Sequence, residues 1–241
     1  MKKILLLFFI IVVFSGGLMA QESESSSLGS KIYVGAKGAY GIVDYESIIS
    51  TTKDFAEMTF DNISYGIVAG YNITGNIGVQ LEVNYSNYGA DNIIETYIYS
   101  PGSPALQTYG GTSVVDHVNM DLYYLDIPVL AKYTFSELGF SPYIYVGANW
   151  GINILGNTTI VRKLSEGQEI YRDYKDDITG RIRYYDIAPV GGVGFKMNMG
   201  SLSLLIDARY KHGFSNLSNV DNGLGFTNRA LWISAGLVYN L

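Results

Sequence analysis

The sequence predicts an all-β protein: an eight-stranded antiparallel up-and-down transmembrane β-barrel with short periplasmic turns and long extracellular loops. Three observations predict it. Strand-length runs of apolar and polar residues alternate from Lys31 to the last residue. The connections between these runs are short and long in strict alternation, which gathers the long ones at one end of a meander. Charged residues make up only 16% of the 241, against about 25% in soluble domains, while Gly and Tyr are abundant.

The chain opens on "MKKILLLFFIIVVFSGGLMAQES". Lys2 and Lys3 form a positive head, Ile4 to Phe14 an apolar stretch, and "GGLMA" supplies small residues before Gln21. This is a secretory signal peptide, residues 1–20, with cleavage expected after Ala20. Its apolar stretch is too short for a membrane anchor, since a spanning helix needs about 20 residues. No later apolar run is long enough for a helical span. Residues 21–30, "QESESSSLGS", read as a flexible polar lead-in. Residues 31–241 form one barrel domain, without linker or repeat. The absence of Cys excludes lipid anchoring through an N-terminal cysteine and means an exported fold without disulfides. A pI near 4.9 and a net charge of −6 exclude nucleic acid as a partner.

Each strand follows from its alternation. "IYVGAKGAYGIV" sets Ile32, Val34, Ala36 and Tyr40 opposite Lys37. "YGIVAGYNI" follows, with Tyr65, Ile67, Ala69, Tyr71 and Ile73 on one face. "IGVQLEVNYSN" is the most regular: Ile77, Val79, Leu81, Val83 and Tyr85 oppose Gly78, Gln80, Glu82, Asn84 and Ser86. "YYLDIPVLAKYTF" sets Leu125, Ile127, Val129, Ala131, Tyr133 and Phe135 opposite Asp126, Pro128 and Lys132. In "YIYVGANWGINI", Ile144, Val146, Ala148, Trp150 and Ile152 oppose Tyr143, Tyr145, Gly147, Asn149 and Asn153. "YDIAPVGGVGFKM" is less regular, with Ile187, Val193, Phe195 and Met197 opposite Asp186, Gly192, Gly194 and Lys196. "LSLLIDARYK" sets Leu202, Leu204, Ile206, Ala208 and Tyr210 opposite Ser203, Asp207, Arg209 and Lys211. "LWISAGLVYNL" closes the chain with Leu231, Ile233, Ala235, Leu237, Tyr239 and Leu241 on one face. The expected short turns are Thr74–Asn76, Ser136–Gly139 and Asn198–Ser201; the long loops are 44–62, 88–121, 156–184 and 214–228.

Alternation alone fits two barrels. A soluble one hides its apolar face; a membrane one turns it to lipid. The polar face here is mostly Gly, Asn, Ser and Gln with isolated charges, unlike a water-facing surface crowded with Lys and Glu. Small residues suit the narrow interior that eight strands enclose. Aromatic residues of the apolar face gather near the strand ends: Tyr40, Tyr65, Tyr85, Trp150 and Tyr210 toward the long loops, and Tyr71, Tyr133, Phe135, Phe195 and Tyr239 toward the short turns. Two such girdles around an aliphatic belt are expected at lipid headgroups. The final strand "LVYNL", with Gly236, Tyr239 and Leu241, resembles the C-terminal signal read by barrel-insertion machinery. These points favour the membrane barrel, with outer-membrane lipid as its main partner.

The runs "YYLDIPVLAKYTF", "SPYIYVGANWGINI", "APVGGVGFKM" and "LSLLIDARYKHGFSNL" resemble the PorT-like or "porin family" small outer-membrane β-barrel proteins. "LDIPVLAKY" carries most of the resemblance, which spans Lys31 to Leu241 and is strongest from Leu125 onward. It implies an eight-stranded barrel in a bacterial outer membrane. It does not imply pore formation.

Side chains fill the interior of a barrel this narrow. Its charges, Lys37, Glu82, Asp126, Lys132, Lys196, Asp207, Arg209 and Lys211, are of mixed sign. Buried isolated charges are costly, so they are expected to pair, Asp126 and Lys132 with charges on neighbouring strands. Pro128 has no N–H and is expected at a bulge or an unpaired ladder position. His117 and His212 are the only histidines. His212 with Ser215 in "HGFS", and Asp207 below, is the nearest approach to a hydrolase site, at a spacing that matches no trusted pattern. No catalytic, cofactor or metal site is expected. The Gly-rich "GAKGAYG" and "GGVG" open no helix and are not phosphate loops. The loop runs "YRDYKDDITGR" and "DNIIETYIYSPGSPALQTYGGTS" are where an extracellular ligand would bind. The expected function is a non-enzymatic outer-membrane barrel whose loops serve envelope integrity, adhesion or binding. The alternatives are a narrow channel for small solutes and, third, a lipid-modifying enzyme.

Overall fold

The computed structural model describes residues 31–47, 59–97, 114–135, 140–164, 169–172, 176–219 and 226–241. The signal peptide and the polar lead-in expected over residues 1–30 lie outside them. The described elements are β1 (Ile32–Ser47), β2 (Thr59–Asn72), β3 (Ile77–Tyr97), β4 (Val114–Thr134), β5 (Phe140–Leu164), β6 (Glu169–Arg172), β7 (Asp176–Asp177), a 3-10 turn (Thr179–Arg181), β8 (Tyr185–Met199), β9 (Leu202–His212) and β10 (Phe226–Asn240).

Eight of these strands close into an antiparallel barrel. Each pairs with its neighbour in the chain, β5 passes on to β8, and β10 returns to β1. The short β6 and β7 both pair with the upper part of β5. A walk from partner to partner runs Ile32, Tyr71, Val79, Ala131, Val146, Gly191, Tyr210, Leu231 and back onto β1 at Ile42. The ten-residue offset between Ile32 and Ile42 is the stagger of the barrel. With eight strands it corresponds to a tilt of about 40°.

Alternation decides which side chains face out. The apolar sets named above lie on the outer surface, with Ile67, Val79, Val146 and Leu237 exposed. Lys37, Gln80, Glu82, Asn84, Asp126, Asn149, Asp186, Asp207 and Lys211 are buried in the lumen. The short turns are built locally. The Thr74 hydroxyl accepts the N–H groups of Asn76 and Ile77 at 3.3 and 3.0 Å, and Gly200 takes φ +74° between β8 and β9. The third expected turn, Ser136–Gly139, lies outside the described residues. The first and last barrel strands meet at this end, where Leu241 N–H donates to Ile32 O.

The long connections are shorter than expected because the strands run further. β3 continues to Tyr97, β4 begins at Val114 and β5 reaches Leu164. Bulges conceal these continuations. The β3–β4 register shifts between Ala90 and Ile93, and the β4–β5 register shifts where Tyr123 and Tyr124 oppose Leu155 and Asn153. An extra residue reverses the in-and-out phase, so the period of two ends in the sequence while the strand goes on.

Three of the prolines lie on barrel strands, each where a ladder breaks. The β3–β4 ladder pairs Leu81 with Val129 and next Asn84 with Asp126, leaving a gap at Ile127 and Pro128. The gap keeps its register, so it is an unpaired position and not a bulge. The β4–β5 ladder ends at Thr134 and Tyr143, just before Pro142, and the β8–β9 ladder ends at Val190, just after Pro189. A residue without an N–H fits a closed sheet only at such places.

Candidate functional site

The lumen is the structure's main polar feature, and it is layered. Nearest the short turns, Tyr33, Tyr143 and Tyr145 pack with Val68, Leu130 and Leu205 as a buried apolar layer. Lys132 and Lys196 enter this layer. The Lys132 ammonium lies 3.8 Å from the centre of the Tyr143 ring and 5.4 Å from that of Tyr33. The Lys196 ammonium lies 5.8 Å from the Tyr33 ring and donates to Asn240 Oδ1 at 3.3 Å.

Above it sits the first ion cluster. Arg209 grips Glu82 with two bonds, Nη1 to Oε2 at 2.8 Å and Nη2 to Oε1 at 2.6 Å. Lys37 Nζ bridges Glu82 Oε1 at 3.1 Å and Asp207 Oδ2 at 2.7 Å. Gln80 and Asn84 donate to Glu82, and Tyr143 and Tyr145 to Asp207. The second cluster is centred on Lys211, 3.4 Å from Asp126 and 3.2 Å from Asp186. Tyr88 Oη and Asn149 Nδ2 each donate to Asp126 at 2.6 Å. A polar cavity of about 40 Å³ lies between the clusters. That is room for about three waters.

The end with the long connections is closed by apolar side chains. Tyr45, Leu122, Tyr124 and Trp232 project inward from the strands. Ile178, Ile182 and Leu217 descend onto them from the segments after β7 and β9. Those segments are joined by the bridge between Ile182 and Ser218 and by the Arg183 N–H bond to Leu217 O at 2.8 Å. At the entry of the 3-10 turn, Asp177 Oδ1 accepts the Thr179 N–H at 2.9 Å, and Thr179 holds that carboxyl below its usual range.

Two expectations change here. The lumen was expected to be filled by small residues, yet its bulk is aromatic. Glycines on facing strands give the rings clearance: a side chain on Gly70 would strike Tyr33, and one on Gly41 would strike Trp232. Small residues and large rings are thus two halves of one packing solution. Second, Asp126 and Lys132 do not pair with charges on neighbouring strands. Asp126 reaches across the lumen to β9. Lys132 has no carboxylate within ion-pair distance among the described residues and rests on tyrosine rings. The reason is geometric: Glu82 and Asp207 are already enclosed by Lys37, Arg209 and their hydrogen-bond donors.

Asp186 was read as lumen-facing from its strand phase but was absent from the expected charge network. Nothing in its sequence surroundings marks it as the partner of Lys211; closure of the barrel brings them together. The expected girdle residues Tyr40, Tyr65, Tyr85, Trp150, Tyr210, Tyr71, Tyr133, Phe135 and Tyr239 are exposed on the outer surface. Phe195 is half-buried, its ring stacked on Phe140 at 5.1 Å.

His212, Ser215 and Asp207 are not brought together. Strand phase turns His212 outward, with Nδ1 3.3 Å from Tyr210 Oη, and Asp207 inward to Lys37. Ser215 Oγ accepts the Ile187 N–H at 3.5 Å. His117 lies on β4 opposite Ile94, and its side chain is outside the described residues.

Solved barrels similar to this chain include Neisserial surface protein A (17% identity, 87% of this chain and 97% of that one, TM-score 0.45). The E. coli outer membrane protein W is another (14% identity, 90% and 100% covered, TM-score 0.46). A third is Ail, the attachment invasion locus protein of Yersinia pestis (13% identity, 87% and 99% covered, TM-score 0.40). No curated protein matches the chain. The family model described as "Outer membrane protein beta-barrel domain" matches residues 19–219. With that match over most of its length, the chain belongs to the outer membrane protein beta-barrel domain family and is a bacterial outer-membrane protein.

Proposed function

We propose that this protein is a non-conducting, non-enzymatic outer-membrane barrel that holds an extracellular sheet in place for binding or adhesion. The observation that carries this reading is the length of β3, β4 and β5. They have 21, 21 and 25 residues, whereas a tilted strand crosses a membrane in about 9–11. Roughly half of each strand therefore stands clear of the bilayer, still paired with its neighbours up to Tyr97, Val114 and Leu164. A paired sheet presents a ligand-binding surface with less ordering cost than a free loop.

The exposed rings at both ends of the apolar belt sit at the two headgroup levels in this reading, and the strand ending "LVYNL" is the one the insertion machinery engages. The closed lumen supports non-conduction, because both ion clusters and the apolar cap lie across any path. The cavity of about 40 Å³ favours the second reading, a narrow solute channel that opens when Glu82 and Arg209 part.

Planar-bilayer recording of the refolded protein decides between them. The barrel reading expects no single-channel events above background, and discrete openings would overturn it. A variant with the projecting part of the β3–β4 hairpin cut back to a short turn should keep its heat-modifiable gel mobility and lose attachment of expressing cells to a surface. Unchanged attachment would remove the role assigned to the sheet.

A further inference from the structure

We propose that the short-turn mouth of the lumen is a binding site for a small oxyanion, a phosphate or carboxylate group, held by Lys132 with Lys196 beside it. Lys132 is buried, with 6% of its surface exposed. A lysine so placed keeps its charge only with a counter-charge or hydrogen-bond acceptors. Among the described residues it has neither. Its contacts are the faces of Tyr143 and Tyr33, at 3.8 and 5.4 Å, and cation–π contact offsets only part of the loss of water.

The carboxylates one layer further in are spoken for. Glu82 accepts from Lys37, Gln80, Asn84 and both terminal nitrogens of Arg209. Asp207 accepts from Lys37, Tyr143 and Tyr145. Glu82 has no position left for Lys132, and Asp207, turned to Lys37 and the two tyrosines, forms no ion pair with it, so a counter-ion for Lys132 would come from outside this network. The layer that holds Lys132 is the one nearest the short turns. There Lys196 is half-buried over the same Tyr33 ring. The polar groups beside it are bonded to one another: Asn240 Nδ2 donates to Ser203 Oγ at 2.8 Å, and that hydroxyl donates to Asn198 Oδ1 at 2.9 Å.

The chemistry selects the ligand. Two ammoniums and short amide and hydroxyl side chains suit a compact group with several acceptor oxygens. The apolar layer of Val68, Leu130 and Leu205 behind them stops it from passing further. Such an oxyanion has two sources: a free ion from the periplasm, or the carboxylates of Glu22 and Glu24 in the acidic lead that precedes β1 in the sequence.

The test uses the full mature chain in a non-ionic detergent that carries no phosphate, with backbone amide signals followed by NMR. Inorganic phosphate should shift the signals of Gly78, Tyr143 and Asn240 saturably, and chloride at matched ionic strength should not. Lys132→Met removes a buried charge and should fold; it should raise the half-saturating phosphate concentration roughly tenfold or more. Lys196→Gln, nearer the mouth, gives the same readout if Lys132→Met fails to refold. If the lead is the source, Glu22→Gln with Glu24→Gln shifts the same three signals with no phosphate added. Equal responses to chloride and phosphate, or a phosphate titration untouched by both lysine changes, together with silence of the glutamate variant, would overturn the site.

Discussion

Arg209 and Glu82 face each other across the lumen, from β9 and β3, and are joined by two parallel hydrogen bonds of 2.6 and 2.8 Å. Strands so far apart in the sheet are connected through this pair as well as through their ladders. Lys37 from β1 shares the same carboxylate at 3.1 Å. Removing Glu82 therefore leaves two buried cations short of a partner. Glu82→Ala is expected to destabilise the folded barrel by about 3–5 kcal/mol. Urea unfolding in lipid vesicles reads this as a lower midpoint. The double variant with Arg209→Leu should lose less than the two single losses combined, since it removes one orphaned charge with the acid. Strict additivity would show that the two residues do not act as a pair.

Asp126 is a milder case. It accepts from Tyr88 and Asn149 and lies 3.4 Å from Lys211. Lys211 keeps Asp186 at 3.2 Å when Asp126 is lost. Asp126→Leu is thus expected to cost about 1–3 kcal/mol, mainly for the unpaired Tyr88 hydroxyl and Asn149 amide. Asp126→Asn should recover part of it. An unfolding midpoint identical to that of the unaltered protein would refute the bonding described.

These two residues also mark how far the sequence could be read. That Asp126 points inward follows from its neighbours Leu125 and Ile127, because a strand has a period of two. Its partner cannot be read the same way. Lys211 is 85 residues away, and only closure with a ten-residue stagger brings β4 and β9 to one level. The cation–π seat of Lys132 was hidden for the same reason. Strand ends were lost differently: the bulges near Ala90 and opposite Tyr123 reverse the alternation, so a continuing strand looks like a loop. The lumen tyrosines were legible in phase but not in purpose, since the glycines that make room for them lie on other strands.

The apolar cap should be separable from the barrel. Leu217 is fully buried and comes from a segment outside the strands. Leu217→Asp places a carboxylate in an apolar layer and should release the segments around it. The amides of Ile178 and Arg183, which donate to Gly156 O and Leu217 O, should lose protection from hydrogen exchange while the strand amides keep theirs. Acid should act in the same direction at Thr179. Because the Asp177 carboxyl is held below its usual range, its bond is present above the ordinary carboxylate pKa and is lost as pH falls through the lowered value. Conductance should stay at background in the variant, since Glu82 and Arg209 still close the lumen beneath. A collapse of the barrel midpoint along with cap protection would mean that the cap is part of the same cooperative unit.

Pro128 offers the most local test. It faces the lumen and lines the polar cavity, in the unpaired gap between Leu81–Val129 and Asn84–Asp126. Two causes are open to such a gap. The proline, lacking its N–H, can break the ladder, or the pull of Arg209 and Lys37 on Glu82 can hold β3 away. Pro128→Ala separates them, because it restores the donor and leaves the Glu82 cluster in place. On the side of β5, Pro128 already pairs with Asn149 in unbroken register, so the strand needs no reorganisation to accept alanine. If the proline is the cause, the new amide should be strongly protected from exchange and the unfolding midpoint should rise by an amount typical of one added hydrogen bond, about 0.5–1.5 kcal/mol. An amide at position 128 that exchanges freely would put the cause at Glu82, and Glu82→Gln should then close the gap that alanine does not.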